Sequence, residues 1–126
     1  MTWLLFVSVF VGGGVGSLLR WGCGMAERSI RKHAERPADG WGTTLANTIA
    51  SAVLGLTFGL AHGHTDGVWT AAIMTGLCGG LSTFSSFALE LFTMIASKRW
   101  GRAAGHFLAN ATGGIVGFLL LFALGS

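Results

Sequence analysis

Charged residues divide the chain into long apolar runs. Thr2 to Leu19 holds no Asp, Glu, Lys or Arg. Arg20 follows, and then a polar stretch from Glu27 to Asp39 carries Arg28, Arg31, Lys32, Glu35 and Arg36. Gly40 to His64 is again uncharged, and Asp66 ends that run. Gly67 to Leu89 has no charge, Glu90 interrupts, and Leu91 to Ser97 continues apolar. Lys98, Arg99 and Arg102 form a short basic turn before the uncharged tail from Ala103 to Ser126. A hydrocarbon core about 30 Å thick is crossed by roughly 20 helical residues. The pattern therefore predicts four spans, about 2–22, 42–62, 67–97 and 103–125, in a single transmembrane domain over residues 1–126. The runs lack period-two alternation, and in lipid the backbone must satisfy its own hydrogen bonds, so the spans read as helices and not as a barrel. Trp3, Trp21, Trp41, Trp69 and Trp100 fall near span ends, where amphipathic rings settle at the interface. The N-terminus has no basic segment ahead of its apolar run and no small-residue cleavage site, so it reads as a retained first helix. The loop 23–41 is expected to hold a short amphipathic surface helix.

Composition narrows the class further. Only 10% of the 126 residues are charged and 52% are apolar. A soluble domain carries about 25% charged residues. So sparse a set cannot cover a small body, which excludes a soluble globular domain, and so apolar a chain is not disordered. The 21 glycines show no collagen period. The formal net charge of +3 sits at the span edges and does not imply nucleic acid. No phosphate-binding loop, zinc motif or nucleophile–base pattern is present, so no enzyme is expected. Cys23 and Cys78 match no metal spacing and are not expected to form a disulfide. His62 and His64 with Asp66 could bind a metal, on the weak ground of two loop histidines.

Glycines at i, i+4 recur in every span: Gly12/Gly16, Gly55/Gly59, Gly76/Gly80 and Gly113/Gly117. Small residues let helix backbones approach in lipid, so a glycine-faced bundle is expected. The third run is too long for one straight crossing, because its 31 residues would extend about 46 Å as a helix. Its middle reads Gly79-Gly80-Leu81-Ser82-Thr83-Phe84-Ser85-Ser86-Phe87, a poor helix interior. This predicts a break near 79–83 and a second helix from about Phe84. Irregular backbone at membrane depth belongs inside protein or beside water, and it frees carbonyls and amides that can bind ions. Phe84 and Phe87 share a face beyond the break, and their ring edges carry partial positive charge. Thr43, Asn47 and Ser51 form a stripe along span two, with Thr44 and Thr48 beside it; His106 and Asn110 do the same in span four. Such stripes either glue helices or line a path. Arg20 and Glu90 are the charges within or at the edge of the membrane, and ionisable groups there are functional candidates. Arg20 also has the option of snorkelling to the interface.

Three segments together resemble the Fluc fluoride channels, also called CrcB proteins. The first runs from Gly12-Gly13-Gly14 to Arg20, similar to a GGxxGxxxR pattern. The second runs from Gly42-Thr43 through Asn47 and Ser51 to Gly55, similar to GTxxxNxxGSxxxG. The third runs from Gly76 through Phe84, Phe87 and Glu90, similar to GxxGGxTTFSTFxxE. The resemblance implies an antiparallel dimer with two narrow fluoride pores, each using both chains. It implies that Phe84 and Phe87 turn ring edges to fluoride and that Asn47 lies in the pore. The hydroxyls of Ser51, Ser85 and Ser86 would add donors. It also implies that the backbone carbonyls of Gly79 and Ser82 hold a structural, untransported Na+ ion on the dimer axis. The chain departs from the pattern at Ala50, where glycine is usual, and at Ser82 and Ser86, where threonine is usual. In span four the family shows a Tyr/Ser-like track, for which His106 and Asn110 are the nearest candidates.

The expected function is passive export of cytoplasmic fluoride through a selective channel in the cell membrane. The rivals are a small multidrug-type exchanger, which wants an acidic residue early in span one, and a non-transporting assembly subunit. Loops one and three hold seven basic residues, Arg28, Arg31, Lys32, Arg36, Lys98, Arg99 and Arg102, while the opposite side holds none. Basic loops stay in the cytoplasm, so both termini are expected outside. So strong a bias suggests that the chain is half of a pair with a homologue of opposite bias, the alternative being a dimer with itself.

Overall fold

The computed structural model describes residues 2–32, 39–62, 64 and 67–126. The described residues are nearly all helical, in the order α1 (Thr2–Arg31), α2 (Trp41–Leu60), α3 (Val68–Thr70), a π-helical segment (Ala71–Leu77), α4 (Cys78–Leu81), α5 (Phe84–Ala96) and α6 (Trp100–Gly125). Four stretches are long and apolar enough to cross a membrane: α1, α2, Val68–Ala96 and α6. The chain is thus an all-α membrane protein with four spans, the third one broken.

Two helix pairs build the bundle. α1 lies along the first half of span three, and α2 lies along α6. Glycine makes both contacts close. A Cβ at Gly76 would come within 2.7 Å of the Val9 carbonyl oxygen, and one at Gly80 would overlap the Gly13 carbonyl. Across the other pair, Gly59 faces Phe122 and Gly125, and Gly113 faces Thr48. The core at their junction is small, namely Ala46, Ala50, Cys78 and Leu81. Large apolar side chains instead point outward, among them Trp3, Phe6, Phe10, Leu119 and Leu124. An apolar exterior around a core of small residues is what a lipid solvent permits.

Two expectations about local structure change. The loop 23–41 holds no separate surface helix among its described residues. α1 runs on unbroken to Arg31, ending with basic side chains in its last turn, where the helix dipole favours them. The break in span three is narrower than expected and lies at Ser82 and Thr83, both extended (φ −74°, ψ 153° and φ −150°, ψ 120°). Gly79 and Gly80 stay helical in α4 and do not break it, because packing against α1 outweighs their low propensity. Cys78 lies in the small core, Cys23 packs against it, and both are free thiols.

Candidate functional site

The break in span three organises the polar interior. Thr83 is 8% exposed and caps α5, its hydroxyl accepting the Ser86 N–H at 3.3 Å. The Thr83 backbone pairs with the Asn47 side chain instead of with α4. Its N–H donates to Asn47 Oδ1 at 2.7 Å, and its carbonyl accepts from Asn47 Nδ2 at 3.2 Å. The amide of Asn47 thereby replaces the peptide partner that the break removes, as buried backbone groups require. Two carbonyls lose their helical donors as a result. The Thr83 N–H that would bond Gly79 O goes to Asn47, and the Ser86 N–H that would bond Ser82 O goes to Thr83 Oγ1. Gly79 also has no atom near its Cα face. Carbonyl oxygens presented this way suit a hard cation.

From Asn47 a line of polar contacts crosses the bundle. Asn47 Nδ2 also donates to Asn110 Oδ1 at 3.1 Å, and Asn110 Nδ2 donates to Thr44 Oγ1 at 3.3 Å. Thr44 Oγ1 lies 3.4 Å from His106 Nδ1, and His106 Nε2 lies 3.1 Å from Glu90 Oε2. That last pair is close but not aligned as a hydrogen bond, and neither atom has another hydrogen-bond partner among the described residues. The other carboxylate oxygen of Glu90 accepts from the Thr43 hydroxyl at 2.6 Å. The two polar stripes read from the sequence therefore meet, at Thr44, Asn47, His106 and Asn110. They glue α2, α5 and α6 and border the two cavities described next.

A groove of about 340 Å³ runs beside the break, lined by Asn47, Ser51, Ser82, Phe84, Phe87 and Asn110 among others. The rings of Phe84 and Phe87 stand 6.2 Å apart and tilted, and Phe87 stands 5.2 Å from the His106 ring. Phe84 is 80% exposed, so the groove is open on that side. On the other side of Thr83 lies a polar cavity of about 480 Å³, lined by Arg20, Glu27, Arg28, Thr43, Ser86 and Glu90 among others. Arg20 therefore faces a cavity. The expected residues fall into two groups: Asn47, Ser51, Phe84, Phe87 and Asn110 on the groove, and Arg20, Ser86 and Glu90 on the cavity. His106 links the two from behind Phe87. Ser85 is exposed and lines neither, its hydroxyl lying 3.3 Å from Thr83 Oγ1.

Four residues of the site are not singled out by the sequence pattern. Thr83 carries only the signal of its type, since threonine suits a helix cap. Thr43 and Thr44 show only as part of a stripe. Glu27 reads as loop charge, yet it is 7% exposed and accepts the N–H groups of Asp39, Gly40 and Gly42 at 3.2, 3.0 and 3.1 Å. It thus holds the start of α2 against α1. Of the possible metal loop, Asp66 lies outside the described residues, and no cluster of three metal-binding side chains occurs among the described ones.

Comparison with known proteins adds a second line. Residues 7–125 match the family described as CrcB-like protein, Camphor Resistance (CrcB). The chain is 42% identical over 120 residues to a protein of Pectobacterium atrosepticum named fluoride-specific ion channel FluC, covering 94% of this chain and 91% of that one. It is 38% identical to fluoride-specific ion channel FluC 1 of Yersinia pseudotuberculosis and 36% identical to fluoride-specific ion channel FluC of Serratia proteamaculans, with the same coverage.

Proposed function

The chain belongs to the CrcB family, and from that membership we propose that it is a fluoride-selective channel, and not an enzyme, that lets cytoplasmic fluoride leave the cell passively. The observation that carries this reading is the groove at the break, where amide and hydroxyl groups face two phenylalanine rings. Fluoride holds its water strongly, so a selective path must offer donors in exchange. Asn110 and Ser51 offer them from one wall, where Asn47 also lies with its two N–H groups donated to the Thr83 carbonyl and Asn110, and the ring edges of Phe84 and Phe87 offer weak positive charge from the other. Ser86, Arg20 and Glu90 belong to the cavity that leads to this path. The exchanger reading lacks its acidic residue, because Thr2 to Leu19 carries none.

The working unit is a dimer of oppositely oriented chains. The open groove and the exposed ring of Phe84 support this, since one chain leaves the path without a second wall. The partner is a second copy or a homologue of opposite charge bias. Gly79 and Ser82 would hold a structural Na+ ion through their carbonyl oxygens, and the diverted helical donors fit that role. Such an ion supplies fixed positive charge that holds the break in shape. The protein is multi-pass in the cell membrane, with both termini outside.

A fluoride electrode reading efflux from reconstituted liposomes tests the function. Efflux is expected with the native chain and is strongly suppressed in Phe84→Ile and in Phe87→Ile, with assembly retained. No efflux from the native chain would favour the assembly-subunit reading, and unchanged efflux in both variants would remove the rings from the path.

A further inference from the structure

We propose that the turn between α5 and α6 binds the headgroup of an anionic phospholipid, with Lys98 and Arg99 on its phosphate and Trp100 anchoring the edge of the site. The turn lies away from the fluoride path, and its lipid binding does not depend on the channel reading. The backbone of the turn is closed by three hydrogen bonds. The N–H groups of Ser97, Lys98 and Arg99 donate to the carbonyls of Thr93, Ile95 and Met94 at 3.0, 2.9 and 2.8 Å. The last carbonyls of α5 are thereby met by backbone, so no cationic side chain is needed to cap them.

Two features of the turn go beyond what topology asks of basic residues. Lys98 has φ +56°, the left-handed conformation in which this kind of helix ending favours glycine. A side chain there carries a conformational cost. The chain thus holds a cation where the backbone alone calls for glycine. Arg99 is half-buried, and its Nη1 is closed off from water without a hydrogen-bond partner among the described residues. An unmet N–H of this kind costs free energy. The long side chain can swing out, and a phosphate would then replace the unmet contact with charge-assisted, bidentate bonds.

Charge and surface fit the same partner. Arg102, in the first turn of α6, is ion-paired with Asp39, whereas Lys98 and Arg99 enter no ion pair among the described residues. All eight Lys and Arg residues lie toward this end of the spans, and of the five acidic residues only Asp66 lies toward the other, so the excess here is positive wherever loop 1 runs. Below the turn, Leu89, Phe92 and Ile95 of α5 stand exposed, as does Trp100 at the start of α6. They offer an apolar face for acyl chains under a cationic edge, with the indole at headgroup level. The orientation proposed above sets this edge against the cytoplasmic leaflet, whose surface is negative.

The test titrates the full chain, delipidated in a neutral detergent, with phosphatidylglycerol and with phosphatidylcholine of equal chain length, bound lipid being counted by native mass spectrometry. The native chain is expected to hold phosphatidylglycerol at least about tenfold more tightly, since each basic residue at a lipid surface contributes about fivefold. Lys98→Gly suits the backbone, so it is expected to keep or raise the unfolding midpoint while lowering the preference about fivefold. Lys98→Gly combined with Arg99→Gln is expected to remove most of it. Lys32→Gln, at the end of α1 on the same membrane face, is expected to leave it unchanged. Equal binding of the two lipids by the native chain overturns the proposal, as does an undiminished preference in the double variant. A loss in Lys32→Gln as large as in Lys98→Gly would mean a diffuse field and no site. Displacement of phosphatidylglycerol by inorganic phosphate at equal concentration would mean a simple anion site and would overturn the lipid assignment.

Discussion

Asn47 makes three hydrogen bonds from one amide group, and two of them replace backbone bonds lost at the break. An asparagine inside a span is visible in a sequence as a polar group that needs a partner. Its partner, Thr83, is 36 positions away, so no local pattern announces the pair. The same holds for Glu27, whose three acceptor bonds reach across the loop to the start of α2. Asn47→Leu is expected to cost about 1–3 kcal/mol for each buried group left unpaired, seen as a lower unfolding midpoint in detergent. Asn47→Asp keeps the acceptor for the Thr83 N–H but loses both donors. It is expected to retain more stability than Asn47→Leu while losing fluoride flux. Equal midpoints for the two variants would deny that this acceptor bond holds the break.

The break in span three shows propensity and packing pulling on one element. Sequence composition marks 79–83 as a poor helix, and a helix does end there. The residues expected to end it, Gly79 and Gly80, nevertheless remain helical. The side-chain bonds of Asn47 and Thr83 fix the extended pair at Ser82 and Thr83. Glycine instead allows contact: Gly80 rests on Gly13, and Gly16 rests on Leu77 and Leu81. Gly80→Ala is expected to force α1 and α4 apart at a cost of about 1–3 kcal/mol, measured as a loss of midpoint. Gly101→Ala, with open space at its Cα and a gain in helix propensity, is expected to be neutral or stabilising. A destabilised Gly101→Ala beside an unaffected Gly80→Ala would contradict the glycine-contact account.

At the scale of the whole molecule, the apolar exterior and the uneven basic charge speak to placement in the membrane. With Cys23 and Cys78 replaced by serine, a cysteine introduced at Lys98 is expected to react with an impermeant maleimide only after the membrane is permeabilised. Equal reaction in intact cells would mean both orientations occur, and would favour a self-paired dimer over pairing with a homologue of opposite bias. The four spans, the broken third span and the family motifs were all legible in the sequence. They depend on apolar length and on local residue type, which a linear reading contains. What only the tertiary structure decided is how the two polar stripes meet: Asn47 on Thr83, Asn110 on Thr44, and His106 on Glu90. It also decided that α1 continues into the first loop, to Arg31, and carries Glu27 against α2. These pairings join residues far apart in the chain. One fixed backbone donor, the Thr83 N–H, sets which way the amides of Asn47 and Asn110 turn, and its partner exists only once the helices have packed.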